Sequence, residues 1–275
     1  MTLINISITS DPVCPWCYIG YRRLTKALRL YQKTYPGGGQ DAIRITWKPY
    51  ILDANAPMES IPYMGNPNLS HIPHQTHDKI LTDRSERMTQ KLGPEKVPHA
   101  QAHLQRLGHA DGIHFRFGGR IGSTLPAHQV IMLSQLQDQG HTSESTLTGS
   151  DTGVGAAALV EAIFEAHFER EQDITDVETL VRLAGQAGMD ERVARSWLAE
   201  GRGVAEIQQE ALRARDEGIV GVPYFQFGGG ERMRSLSGGQ EVAEFLEALI
   251  AYKEGLEATD ASSGVRGVAC AGDTC

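Results

Sequence analysis

The stretch Asp11-Pro12-Val13-Cys14-Pro15-Trp16-Cys17-Tyr18 decides the reading of this chain. Its two thiols stand two residues apart. A short apolar run, Leu3-Ile4-Asn5-Ile6-Ser7-Ile8, precedes them, and Tyr18, Tyr21, Leu24, Ala27, Leu28 and Tyr31 follow at helical spacing. The pattern predicts a buried strand over 3–9 and a helix over 15–34, with Cys-x-x-Cys at the helix start. Unpaired N–H groups and the positive end of the helix dipole favour a thiolate there over a thiol. That makes Cys14 the candidate nucleophile and lets Cys17 attack the resulting mixed disulfide. Pro15 suits the first helical turn, where its missing N–H costs nothing.

Outward from this stretch, Tyr35-Pro36-Gly37-Gly38-Gly39 ends the helix, and Ile43-Arg44-Ile45-Thr46-Trp47 alternates as a second strand. The first fifty residues thus read as a parallel βαβ unit. Residues 53–76, rich in Pro, Asn and Ser, read as loop. Helical patterns occupy 77–92, 95–108, 125–138, 154–169, 176–187, 190–199 and 203–216, with Asp176 as an N-cap and Gly188 as a stop. Strand character returns at Pro223-Tyr224-Phe225-Gln226-Phe227. Gly228-Gly229-Gly230 then predicts a hairpin turn, 233–235 an edge strand, and Glu241 to about Lys253 a last helix. The expected organisation is a βαβ half over 1–55, a helical insertion over 56–202, an αββα half over 203–256 and a flexible tail over 257–275.

Composition excludes several classes. Of 275 residues 40% are hydrophobic, enough for a core, yet no apolar run approaches the ~20 residues of a spanning helix. A secretory leader pattern is missing, so the expected location is the cytoplasm. A net charge of -8 argues against nucleic-acid binding, and no membrane partner is expected. The four cysteines form two separated pairs, Cys14/Cys17 and Cys270/Cys275. Such pairs point to redox or metal chemistry in a reducing compartment rather than to a disulfide-stapled fold.

Three features converge on one family: Ser10-Asp11-Pro12-Val13-Cys14-Pro15-Trp16-Cys17-Tyr18-Ile19-Gly20, the helical middle, and Gly218-Ile219-Val220-Gly221-Val222-Pro223-Tyr224-Phe225. Over roughly residues 3–255 the chain resembles the DsbA-like branch of the thioredoxin superfamily, in particular its FrnE-like subgroup. Its relatives include the 2-hydroxychromene-2-carboxylate isomerase and kappa-class glutathione transferase branch. The resemblance implies an α/β thioredoxin-like fold with a large all-helical insertion. It implies a protein-disulfide oxidoreductase, acting as reductase or isomerase, with Cys14 as exposed nucleophile and Cys17 as resolving thiol. Val222-Pro223 would be the cis-proline loop and, with Pro15 and Trp16, would contact substrate. Glutathione is the expected reductant or co-substrate, with no other cofactor. The expected partners are disulfide- or thiol-containing proteins or small molecules. Two other readings stand beside this one: a glutathione-linked isomerase or transferase acting on a small aromatic or polyketide-like substrate, and a non-catalytic peptide-binding chaperone.

The tail cysteines Cys270 and Cys275 are a candidate redox relay. A flexible linker from residue 256 to Cys270 has a typical span of roughly 20 Å and an extended reach of about 50 Å. His71, His74 and His77 are interrupted by Pro73 and lack a cysteine or carboxylate cluster, so no metal is expected. His99, His103, His109 and His114 read as scattered surface or core residues. Asp11 is expected to cap the active helix, which Arg22 and Arg23 flank. Tyr224 and Phe225 read as strand core.

Overall fold

The computed structural model describes residues 2–58, 61–62, 93, 95–140, 155–229 and 233–263. A four-stranded mixed sheet lies at its centre, built from β1 (Leu3–Ser10), β2 (Ala42–Pro49), β5 (Tyr224–Phe227) and β6 (Arg234–Ser237) in the order β2-β1-β5-β6. β1 runs parallel to β2 from Leu3↔Ala42 to Ser10↔Pro49, and antiparallel to β5 with Ile8 opposite Phe225. Ile4, Ile6 and Ile8 fall on one face by the period of two and are fully buried with Phe225 and Phe227. A second, two-stranded ladder pairs β3 (Ile61–Pro62) with β4 (Arg120–Ile121). It is too short to have a periodic signature.

Helix α1 (Pro15–Thr34) is buried over more of its circumference than an ordinary surface helix. One side carries Leu24 and Leu28 onto the core. The other meets the insertion, where the Tyr18 ring stacks on Phe164 at 5.1 Å and its hydroxyl donates to Glu169 at 2.6 Å. The insertion comprises α2 (Lys96–Ala110), α3 (Leu125–Gly140), α4 (Ala156–Phe168), α5 (Val177–Gln186) and α6 (Glu191–Ala199). Asp176 caps α5 through the Thr179 N–H, as the sequence predicts. α7 (Val204–Asp216) leads into β5, and α8 (Val242–Ser263) closes the described chain.

Two contacts lock the insertion onto the sheet domain. Gln135 of α3 accepts the Trp47 N–H at 2.7 Å and donates to the Trp47 carbonyl at 3.0 Å, which covers the open edge of β2. Arg23, buried in α1, pairs with buried Asp111 at 2.7 Å and donates to the Gly239 carbonyl at 2.8 Å. One guanidinium thereby joins α1, the insertion and the approach to α8.

The expected elements are met within a few residues, with exceptions, one of them β3 within the stretch 53–76 read as loop. β6 spans 234–237 rather than 233–235, and α8 continues to Ser263 instead of stopping near Lys253. Residues 254–263 contain no proline, and the lone Gly255 weakens a helix without breaking it. The expected helix at 77–92 lies outside the described residues, as does Gly230 of the expected hairpin turn.

Candidate active site

β1 ends at Ser10, and the chain turns over Asp11-Pro12-Val13 before α1 begins. Cys14 is the N-cap, and its N–H is held by the Asp11 carbonyl at 2.9 Å. Cys17 sits one turn in. Both stand as free thiols. The peptide bond Val222–Pro223 is cis, and the Val222 carbonyl oxygen lies 3.5 Å from Cys14 Sγ. Residues 208 apart in sequence thus form one site. Gly20 permits this approach: a Cβ there would lie 3.0 Å from the Phe225 ring and 3.2 Å from Pro223 Cγ. The methylene-free position lets α1 sit directly against the cis-proline loop.

The exposure pattern corrects two expectations. Cys14 is not an exposed thiol: it retains 5% of its surface and Cys17 2%. The Val222 carbonyl covers Cys14 from one side and the turn at Asp11 backs it from the other. Pro223 is likewise buried, packed toward Gly20, so the accessible part of that loop is half-buried Val222 and fully exposed Val220. Trp16 is exposed between the two thiols. Phe225 is core.

The surroundings make the two thiols unequal. Burial pushes the Cys17 thiol well up, and the hydrogen bond with Cys14 and its charge push it further. The Ser10 side chain and an Asp11 backbone hydrogen bond oppose this only in part. Two of the raising effects originate at Cys14. The Cys17 thiol is therefore sensitive to the state of its neighbour as well as to burial.

Asp11 does not cap α1, which has no side-chain cap. Its carboxylate is buried and turned away from the helix. It accepts from the Leu52 N–H at 2.8 Å, more weakly from the Val13 N–H at 3.4 Å, and from the Thr124 side chain. Burial raises its pKa to about 6 against these donors. His128 of α3 stands 4.0 Å from it, with Nε2 3.2 Å from the Tyr50 carbonyl. Both neighbours of Nε2 are acceptors, so that nitrogen carries the proton. Burial lowers the His128 pKa to about 4, leaving the ring neutral near pH 7. Behind this pair lies a cavity of about 40 Å³, lined in part by Ser10, Pro12, Trp47, His128 and Gln135. Among the described residues the buried Trp47 Nε1 has no hydrogen-bond partner.

Sequence reasoning missed His128, which follows Thr124 in an ordinary helical pattern and carries no local signal. His103 is a surface residue, as the sequence reading allows, but its ring lies 6.5 Å from that of Trp16, which no local pattern indicates. Cys270, Cys275, His71, His74 and His77 lie outside the described residues, and among the described residues no group of metal-binding side chains occurs.

The course of α8 bears on the tail. Its start lies beside the site, where Gly239 meets Trp16, while Lys253 bonds Asp41 at 3.0 Å at the far end of β1. β1 alone spans about 26 Å, and ten more residues of α8 add about 15 Å in the same direction. Only six residues lie between Ser263 and Cys270, seven steps that span about 25 Å at full stretch.

The chain matches the DSBA-like thioredoxin domain over residues 5–250. It is 23% identical over 228 residues to the uncharacterized protein YwbO of Bacillus subtilis strain 168, covering 82% of this chain and 87% of that protein. Among solved structures it is similar to a probable DsbA oxidoreductase from Streptomyces coelicolor, with a TM-score of 0.67 and 23% identity over 98% of this chain and 94% of that one. It is also similar to the cytosolic disulfide reductase DsbM from Pseudomonas aeruginosa, with a TM-score of 0.52 and 14% identity over 93% and 98% of the two chains. With a dithiol at the start of α1, a cis proline across from it and a helical insertion between the halves of the sheet domain, this chain belongs to the DSBA-like thioredoxin domain family.

Proposed function

We propose that this protein is a thiol–disulfide oxidoreductase working as a disulfide reductase or isomerase, with Cys14 and Cys17 as its reacting groups. The observation that carries the reading is the placement of Cys14 Sγ 3.5 Å from the Val222 carbonyl, with Cys17 buried one turn behind. In the reductive direction, Cys14 thiolate attacks one sulfur of a substrate disulfide. That S–S bond breaks, a mixed disulfide forms, and the departing thiolate takes up a proton. Cys17 then loses its proton and attacks Cys14 Sγ. The Cys14–Cys17 disulfide forms, and the second substrate sulfur leaves as thiolate. The dithiol has supplied two electrons. Two glutathione thiols, becoming glutathione disulfide, restore it in the cytoplasmic setting that we assign.

The substrate backbone is held beside Val222, with Val220 and Trp16 as apolar contacts at the rim. Titration of the pair against glutathione buffers tests the direction. A potential near or below the cytosolic pool, roughly -220 mV or lower, supports reduction or isomerisation. A strongly oxidising value near -120 mV would overturn that direction. Cys14→Ser is expected to cut exchange by on the order of 10³-fold or more, and Cys17→Ser to accumulate mixed disulfides. Sustained turnover by Cys14→Ser would remove the assignment itself.

A further inference from the structure

A second surface lies beside the thiols, on the insertion. α2 and the extended segment 113–116 enclose an open groove of about 590 Å³. Its floor is apolar, from buried Ile113 and Phe115. Its walls carry Arg106 and His109 from α2 and His114 and Arg116 from the following segment, all exposed. The two imidazoles meet edge to face at 5.8 Å. Among the described residues neither arginine has an ion-pair partner. The nearby carboxylates are already engaged. Glu169 accepts from Tyr18 and from the His114 N–H, and lies 3.5 Å from His114 Nδ1. Asp111 is buried against Arg23 and Lys26.

Two arginines without an ion-pair partner among the described residues stand out on a chain whose net charge is -8. An acidic partner is repelled by most of the surface and attracted here. One wall of the groove belongs to the same helix that reaches the active-site rim. His103 precedes Arg106 by three positions on α2, so the two are neighbours on the helix surface. The His103 ring in turn lies 6.5 Å from that of Trp16, between the thiols. One helical turn adds about 5 Å, which places the first arginine roughly 11 Å from Trp16. That is three to four residues of extended chain.

We propose that the groove docks an acidic segment of a polypeptide substrate, with its carboxylates about three to six positions from the cysteine that meets Cys14. The apolar floor takes the backbone and intervening side chains, and Arg106 and Arg116 take the carboxylates. This rests on the exchange reading above, and makes the insertion a specificity element for it.

The test uses full-length protein and synthetic peptides carrying one activated disulfide. Aspartate and glutamate, or serine and glutamine, or lysine, occupy positions three to six from the cysteine. The readout is the ratio of second-order exchange rates between peptides. At low salt the acidic peptide is expected to react about five- to tenfold faster than the neutral one, and the lysine peptide more slowly. The ratio should fall toward one in 0.5 M salt, and toward or below one in Arg106→Glu/Arg116→Glu. The milder Arg106→Gln/Arg116→Gln should lie between. Direct binding of a dye-labelled acidic peptide with serine in place of cysteine separates the two readings. If that peptide binds and the charge-reversed variant loses it, the groove stands even should exchange fail. Normal exchange with no preference among the peptides, or a preference untouched by both variants, would overturn the groove.

Discussion

The two ends of the central sheet each bury an aspartate, and the two behave oppositely. At the start of β1, Asp41 accepts from the Thr2 N–H, from the Tyr31 hydroxyl at 2.8 Å and from Lys253 at 3.0 Å. Burial pushes its carboxyl up, but the Tyr31 hydroxyl and the Lys253 ammonium outweigh that and hold it below its usual value. At the other end, Asp11 has backbone N–H donors and the Thr124 side chain, yet the histidine beside it is neutral, and burial wins. The same residue type is a satisfied structural pin at one pole and a destabilised group at the other. The destabilised one lies at the carboxyl end of the parallel β1–β2 pair, next to the thiols, which is the end where open α/β sheets place their chemistry.

Removing the cation should break the contrast most strongly. Lys253→Met keeps the buried stem but leaves Asp41 without its counter-charge. The expected loss is about 3 kcal/mol or more, read as a lowered urea midpoint. Exchange at Cys14 should be unchanged, because Lys253 lies at the opposite pole. A variant as stable as the parent would mean that Tyr31 and Thr2 alone satisfy Asp41.

Paired pH titrations sharpen the comparison. Asp11 binds its proton more tightly folded than unfolded. Its stabilising effect is full below pH ~4 and is lost as pH rises through about 6. From 3.8 to about 6 this amounts to on the order of 3 kcal/mol. The stability of Asp11→Asn relative to the parent should therefore improve by that order between pH 4 and pH 7, whatever its absolute level. Asp41 has the opposite sign: its contribution is present above pH ~4 and lost as pH falls below it. Asp41→Asn should be most destabilising near neutrality and converge on the parent in acid. Parallel pH dependences for the two variants would refute the contrast.

The smallest expected effect concerns the tail. α8 carries the described chain away from the active pole as far as Ser263, and Cys270 lies outside the described residues. Deleting residues 266–275 should change single-turnover exchange in dilute protein by less than about twofold, since the short tether leaves no intramolecular advantage. A severalfold slowing, independent of protein concentration, would instead support the relay within one molecule and require the end of α8 to unwind.

Much of this architecture is written locally. The alternation of Ile4, Ile6 and Ile8, the spacing from Tyr18 to Tyr31, and the Asp176 cap each depend on neighbours within a turn or a strand, so they are legible without coordinates. The dithiol is legible for the same reason: its chemistry needs only two thiols and a helix start. The end of α8 was less legible, because residues 254–263 lack a strong stop and their polar composition reads equally as tail.

The surroundings of the thiols were decided only by tertiary structure. The Val222 carbonyl reaches Cys14 from 208 residues away, His128 reaches Asp11 across the insertion, and Gln135 closes the edge of β2. Their energies depend on burial and on which groups face one another, and neither quantity belongs to a segment. The sequence by itself determined that a strand, two thiols and a helix stand in that order. Packing decided that Cys14 is covered, that Asp11 is raised while Asp41 is lowered, and that two arginines and two histidines line one groove, because desolvation and charge proximity arise only once distant segments share the same space.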